Sequence, residues 1–202
     1  MHPKVKICGM TDATTIQTAI KHKVDYLGFV FYPKSPRNLT PEQAKELTKN
    51  IPQNVKRVAV LVNAKDEFIE QIKDYFDCFQ LHGHEDVKRI KELKQKFNKE
   101  IIRAIRVSDE DSAKTFSQFE DEVDMLIFDS PAMEKTAKFD WKILQKIKIT
   151  KPYLIAGSIN IHNVDEILKY NPTGVDVSAG VESSLGVKSN EKIIEFLDKV
   201  KS

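Results

Sequence analysis

A chain of 202 residues with a formal charge of +2 can bury one sizeable core and has no charge excess that would favour nucleic acid or an anionic membrane. Two cysteines, Cys8 and Cys78, form neither a disulfide framework nor a metal-ligand spacing, which fits a reducing, cytoplasmic compartment. No signal-like apolar core opens the chain, no run approaches the roughly 18–20 apolar residues of a membrane span, and no linker interrupts residues 1–202, so a single domain is expected. In chain order, the strand candidates are KVKIC, YLGFVF, RVAVLV, CFQLH, IIRAIRV, VDMLIFD, PYLIA and GVDVS. Amphipathic stretches lie between them. Ile16, Ala19 and Ile20 share one helical face, as do Val164, Ile167 and Leu168. Thr40 begins a capping box with Pro41 at the first helical position and Gln43 closing it. The basic run KRIKELKQKFNK alternates with apolar residues and reads as a solvated helix face. Ser108 is the expected cap of a helix holding Ala113, Phe116 and Phe119, and FDWKILQKI is expected to form a shorter helix. The last helix starts at Ser189 and is expected to bury Ile193, Ile194, Leu197 and Val200.

Eight strand–helix units of about 25 residues fill the chain, which predicts an α/β fold with eight parallel strands closed as a (β/α)8 TIM barrel. An open doubly wound sheet is the competitor, but CGMTD after the first strand is not a dinucleotide-binding turn. Reactive groups of such barrels cluster where strands end. Here those ends carry Cys8, Asn63, His82, Arg106, Asp129, Gly157–Ser158 and Ser178–Gly180. Strand parity turns Val5 and Ile7 to the helices, and Lys6 and Cys8 inward. The same rule turns Gln80 and His82 inward, and Asp176 and Ser178. Strands one and eight are neighbours in a closed barrel, so Lys6 and Asp176 can meet, as a structural ion pair before a catalytic one. The late turns IAGSINIHN and DVSAGVESS each place glycine between strand and helix, where bare amides can hold a phosphate. Taken singly, Cys8 also fits a buried core thiol, Asp129 a helix cap and Arg37 a surface charge. Cys78 and Trp141 read as core. His82 and His84 lack a third ligand, so no metal is expected.

Together KICG, GFVFYPKSPR, QLHG, FDW, AGSI and GVDVSAGVESSLGVK resemble the phosphoribosylanthranilate isomerase family of tryptophan biosynthesis, from Val5 to about Lys188. The resemblance implies an Amadori rearrangement of N-(5-phosphoribosyl)anthranilate without metal or cofactor. It implies Cys8 as general base, Asp129 as general acid and Arg37 at the anthranilate carboxylate. It places His82 in the substrate pocket. Gly157, Ser158, Asp176, Ser178 and Gly180 join the substrate-binding set, with phosphate on the last two loops. The only expected partner is a phosphorylated small molecule, with the protein a monomer or homodimer. One acid and one base at the same pH require opposed shifts, Asp129 up by desolvation and Cys8 down by positive neighbours. The sequence departs from the family after Asp129, where SPAMEKTAK replaces a glycine-rich loop and Lys135 or Lys138 could substitute for backbone contacts. Ser158 and Ala179 stand where the family more often has glycine and serine. A non-catalytic or altered-substrate paralogue that binds a sugar phosphate is the alternative reading.

Overall fold

The computed structural model describes residues 2–130 and 139–202. Lys135 and Lys138 lie outside the described residues. The strands are β1 Lys4–Cys8, β2 Tyr26–Phe31, β3 Lys56–Leu61, β4 Cys78–Leu81, β5 Glu100–Arg106, β6 Met125–Asp129, β7 Tyr153–Ile155 and β8 Gly174–Val177. All are parallel, and β1 pairs with both β2 and β8, so the sheet closes into an eight-stranded barrel as expected. Closure leaves no edge for another strand to join. A two-stranded hairpin, β9 Glu182–Ser184 and β10 Val187–Lys188, follows the eighth strand at the mouth.

The period-two pattern of each strand sorts side chains between two cores. Residues such as Val5, Ile7, Leu27, Phe79, Phe128, Val175 and Val177 face outward into the layer beneath the helices. Val58, Cys78, Ile102, Met125, Ile127, Leu154 and Ala156 form a second apolar cluster inside the barrel. That plug is the floor on which the polar mouth rests. The helices are α1 Ala13–Lys21, α2 Pro41–Thr48, α3 Asp66–Ile72, α4 Val87–Phe97, α5 Glu110–Lys114, α6 Val164–Leu168 and α7 Asn190–Lys201.

The Thr40 capping box forms, with Gln43 N–H donating to Thr40 Oγ1 at 3.3 Å and Thr40 N–H to Gln43 Oε1 at 2.9 Å. Ile90, Leu93 and Phe97 bury the apolar stripe of α4, leaving its basic face in solvent. Four local expectations are corrected. Asp109, not Ser108, caps α5, because its carboxylate reaches the Ser112 amide while Ser112 Oγ returns to the Asp109 amide. The helix then gives way to 310 turns that bury Phe116, and the FDWKILQKI segment is a 310 helix over Trp141–Lys146. On α7 the inward face takes Phe196 and leaves Ile194 half-buried, because positions three and four beyond Ile193 lie on its face.

Candidate active site

Cys8 ends β1 and Asp129 ends β6, so both face the mouth from opposite parts of the ring. Gly9 follows Cys8 with φ of 79°, a left-handed turn that bends the chain away at once. A methyl group there would stand 2.2 Å from Arg37 Cδ, so the Arg37 stem lies across the bare backbone. The carbonyl of Cys8 accepts a hydrogen bond from Ser178 Oγ at 3.0 Å, which ties β1 to the loop after β8.

Asp129 accepts the Ser130 amide at 2.8 Å, and its second oxygen lies 3.4 Å from His82 Nε2. Burial raises its carboxyl to about 6, against the hydrogen bond from Ser130 and the charges of Lys6 and Arg106. Burial and the Arg106 charge lower the His82 ring to about 4, so this imidazole is neutral near pH 7. Cys8 differs from the sequence expectation. Burial pushes its thiol up, and the charges of Lys6 and Lys188 only partly oppose this. The structure therefore holds a carboxyl raised as expected, and a thiol whose proton is held more tightly than expected.

Arg37 grips Glu182 through Nε at 2.6 Å and Nη2 at 2.7 Å. This bidentate edge leaves Nη1 pointing away from Glu182. Glu182 also accepts from Lys188 Nζ at 2.9 Å and from the Gly186 amide at 3.1 Å. Burial alone would raise the Glu182 carboxyl, but the bonds from Arg37 and Lys188 outweigh it and hold it at about 2. Sequence reasoning missed Glu182 and Lys188. Their signal was a charged pair within VESSLGVK, facing an arginine 145 residues away.

The two late loops meet. A side chain on Gly180 would stand 1.9 Å from the Ile159 carbonyl, so the loops after β7 and β8 touch backbone to backbone. Gly157 adopts φ of 86° and approaches Ser130 in the same way, joining the loop after β6. Ser158 is left-handed too, with φ of 53°, and its carbonyl accepts from the Asn160 and Asn163 side chains. Asp176 lies inside the barrel with both carboxylate oxygens 3.0 Å from Lys6 Nζ, so the pair expected from parity forms. That engagement directs Asp176 to Lys6 instead of to the open mouth.

The family model described as N-(5'phosphoribosyl)anthranilate (PRA) isomerase matches residues 5–199. The chain belongs to this family. An N-(5'-phosphoribosyl)anthranilate isomerase of Bradyrhizobium diazoefficiens is 36% identical over 203 residues, spanning 96% of this chain and 91% of its own length. A phosphoribosyl anthranilate isomerase crystallised with reduced 1-(o-carboxyphenylamino)-1-deoxyribulose 5-phosphate superposes with a TM-score of 0.88 at 30% identity, covering 98% of each chain. Monomers generated from the dimeric Thermotoga maritima isomerase superpose with a TM-score of 0.86 at 29% identity, again over 98% of each chain. Isomerase membership of this barrel therefore rests on its whole length.

Proposed function

We propose that this isomerase opens the furanose ring of N-(5-phosphoribosyl)anthranilate and rearranges it to 1-(2-carboxyphenylamino)-1-deoxyribulose 5-phosphate, a step of tryptophan biosynthesis. Asp129, as the carboxylic acid, donates its proton to the ring oxygen, and the glycosylamine becomes a Schiff base. Cys8, as the thiolate, takes the C2 proton, and the enolamine tautomerises to the ketone. Arg37 meets the anthranilate carboxylate with the guanidinium face that Glu182 leaves open. The phosphate rests on amides of Gly157–Ser158 and Ser178–Gly180, next to each other because the loops touch. His82 lines the sugar site as a neutral group, and Asp176 acts on the substrate only through Lys6.

The observation that carries this reading is a carboxyl held at about 6 across the mouth from a strand-end thiol, in a chain that matches the family along its length. A relic that only bound sugar phosphate would need neither group. Two free cysteines suit a reducing compartment such as the cytoplasm, and no helix among the described residues is long and apolar enough to cross a membrane. The whole chain is read as one domain, either monomeric or homodimeric.

The test is to generate phosphoribosylanthranilate in situ and follow loss of its fluorescence on adding the protein. Turnover is expected, and folded protein without turnover defeats the proposal. Cys8→Ser and Asp129→Asn should each lower kcat by at least about a hundredfold, the lower range for one general acid or base. A near-normal rate in either variant removes that residue from its assigned role.

A further inference from the structure

The reaction above assigns no proton transfer to the buried Lys6–Asp176 pair in the mouth. Lys6 is wholly buried and holds both oxygens of Asp176 at 3.0 Å. Placing two charges there costs desolvation on both, and apolar residues of similar volume could fill the space at least as stably. The lysine also faces the thiol. Gly28 of β2 pairs in register with Cys8. A Cβ placed on Gly28 would stand 3.0 Å from Lys6 Nζ and 3.1 Å from Cys8 Sγ. Ammonium and thiol thus converge on one spot, kept open by the one residue type without a side chain.

We propose that Lys6 is a positioning residue of the isomerisation: its ammonium, shared between Asp176 and Cys8, is the counter-charge that lets Cys8 stand as a thiolate, and Gly28 leaves the room in which they meet. The proposal rests on Cys8 being the base. Among the described residues, four charged groups face Cys8: Lys6 of its own strand, Asp176 of β8, Lys188 of β10 and Arg37 from the loop after β2. Asp129 and His82 act on the Lys6–Asp176 pair from across the mouth. Burial opposes the Lys6 charge, but Asp176 and Cys8 outweigh it and keep the ammonium protonated. Lys6 is also the foremost group opposing the effect of burial on the thiol, while Asp176 works against it. The protons balance without Lys6 as a carrier. The thiol loses its proton to solvent, the thiolate then receives the C2 proton, and Lys6 stays protonated throughout.

The test reads the thiolate directly, through the pH dependence of Cys8 alkylation by iodoacetamide, resolved by peptide mass mapping. Cys78 is buried inside the barrel and serves as the unreactive control. Three variants are compared: Asp176→Asn, Lys6→Met/Asp176→Asn, which leaves no lone buried carboxylate, and Gly28→Ala. Asp176→Asn should lower the Cys8 midpoint by about one pH unit, because Lys6 then serves the thiol alone. The double variant should raise the midpoint by about one unit over the parent, a tenfold loss of thiolate at a given pH below it. Its kcat at pH 7.5 should fall about tenfold with little change in KM. Gly28→Ala should move the midpoint the same way as the double variant. Equal midpoints with and without Lys6 overturn the proposal. If the double variant does not fold, an unmoved or raised midpoint in Asp176→Asn overturns it alone. An inactive parent whose midpoints shift as expected refutes Cys8 as base but leaves the Lys6 coupling standing. An active parent with fixed midpoints refutes only the role of Lys6.

Discussion

In the proposed assignment, Cys8 as base and Asp129 as acid hold their protons in the reverse of the order those tasks need. The acid loses its proton near pH 6, while the base keeps its own above the ordinary thiol value of 9.0. The reactive form needs Asp129 protonated and Cys8 ionised together. Between those two values one fraction rises as fast as the other falls, so their product is small and constant. The pH profile of kcat/KM should therefore be a plateau with limbs near 6 and above 9, measured by the fluorescence assay. A sharp optimum at pH 7 would contradict this. Stability follows from the same carboxyl. Its folded value lies above the ordinary 3.8, so ionising it weakens the fold as pH rises through about 6. Asp129→Asn should gain about 3 kcal/mol at pH 8, and the gain should vanish toward pH 4 in thermal melts. Gly9→Ala should cost about 2 kcal/mol or more and raise KM, because it forces a side chain into a left-handed turn already filled by Arg37. Strand parity made Cys8 and the Lys6–Asp176 pair legible in the sequence, while Asp129 was legible as a strand end and through the family resemblance. It could not give the direction of the Cys8 shift, which depends on how deeply the folded mouth is desolvated. Nor could it find Glu182, whose contact with Arg37 exists only once β9 has folded beside the loop after β2.

At the level of elements, one device recurs around the base of the barrel. Asp25, Asp77 and Asp124 each precede an even-numbered strand and accept the amide of Val5, Arg57 or Ile101 at the start of the strand before it. Thr173 does the same through Oγ1 for Tyr153. The strands are thus clamped in four pairs, β1 with β2, β3 with β4, β5 with β6 and β7 with β8. Burial would raise Asp25 and Asp77, but their bonds to lysine or arginine and to backbone amides outweigh it and hold both below the ordinary value. Lowered carboxyls contribute stability above pH 4 that is lost as pH falls through their folded values. Asp77→Asn should cost about 1–2 kcal/mol at pH 7 and almost nothing at pH 2, read by urea titration at each pH. A cost independent of pH would mean that shape, not charge, holds the clamp. Strands were legible almost to the residue because one face of each meets the helices and the other meets the barrel interior. The crossover after β5 was not. Its capping is a contest between adjacent Ser108 and Asp109, which local geometry settles for the carboxylate that reaches Ser112.

Across the whole molecule, the seam between β1 and β8 makes the first and last thirds of the chain depend on each other. Unfolding should be cooperative. Trp141, the single tryptophan, sits buried in the layer beneath the helices, so its fluorescence and far-UV circular dichroism should change at the same urea concentration. Two separated transitions would indicate independent halves. Phe196→Ala, from a fully buried ring of α7, should cost about 3–5 kcal/mol in the same experiment. Lys201, at the end of α7, donates to the Pro3 carbonyl at 2.9 Å and also bonds Asp25. Both chain ends therefore emerge together, on the face of the barrel where strands begin, one barrel height from Cys8 and Asp129. Appendages carried at either terminus would hang beneath the substrate entrance without shading it. The two ends can equally be bridged by a short linker and the chain reopened at an exposed connection such as Pro52–Asn54, leaving the mouth undisturbed.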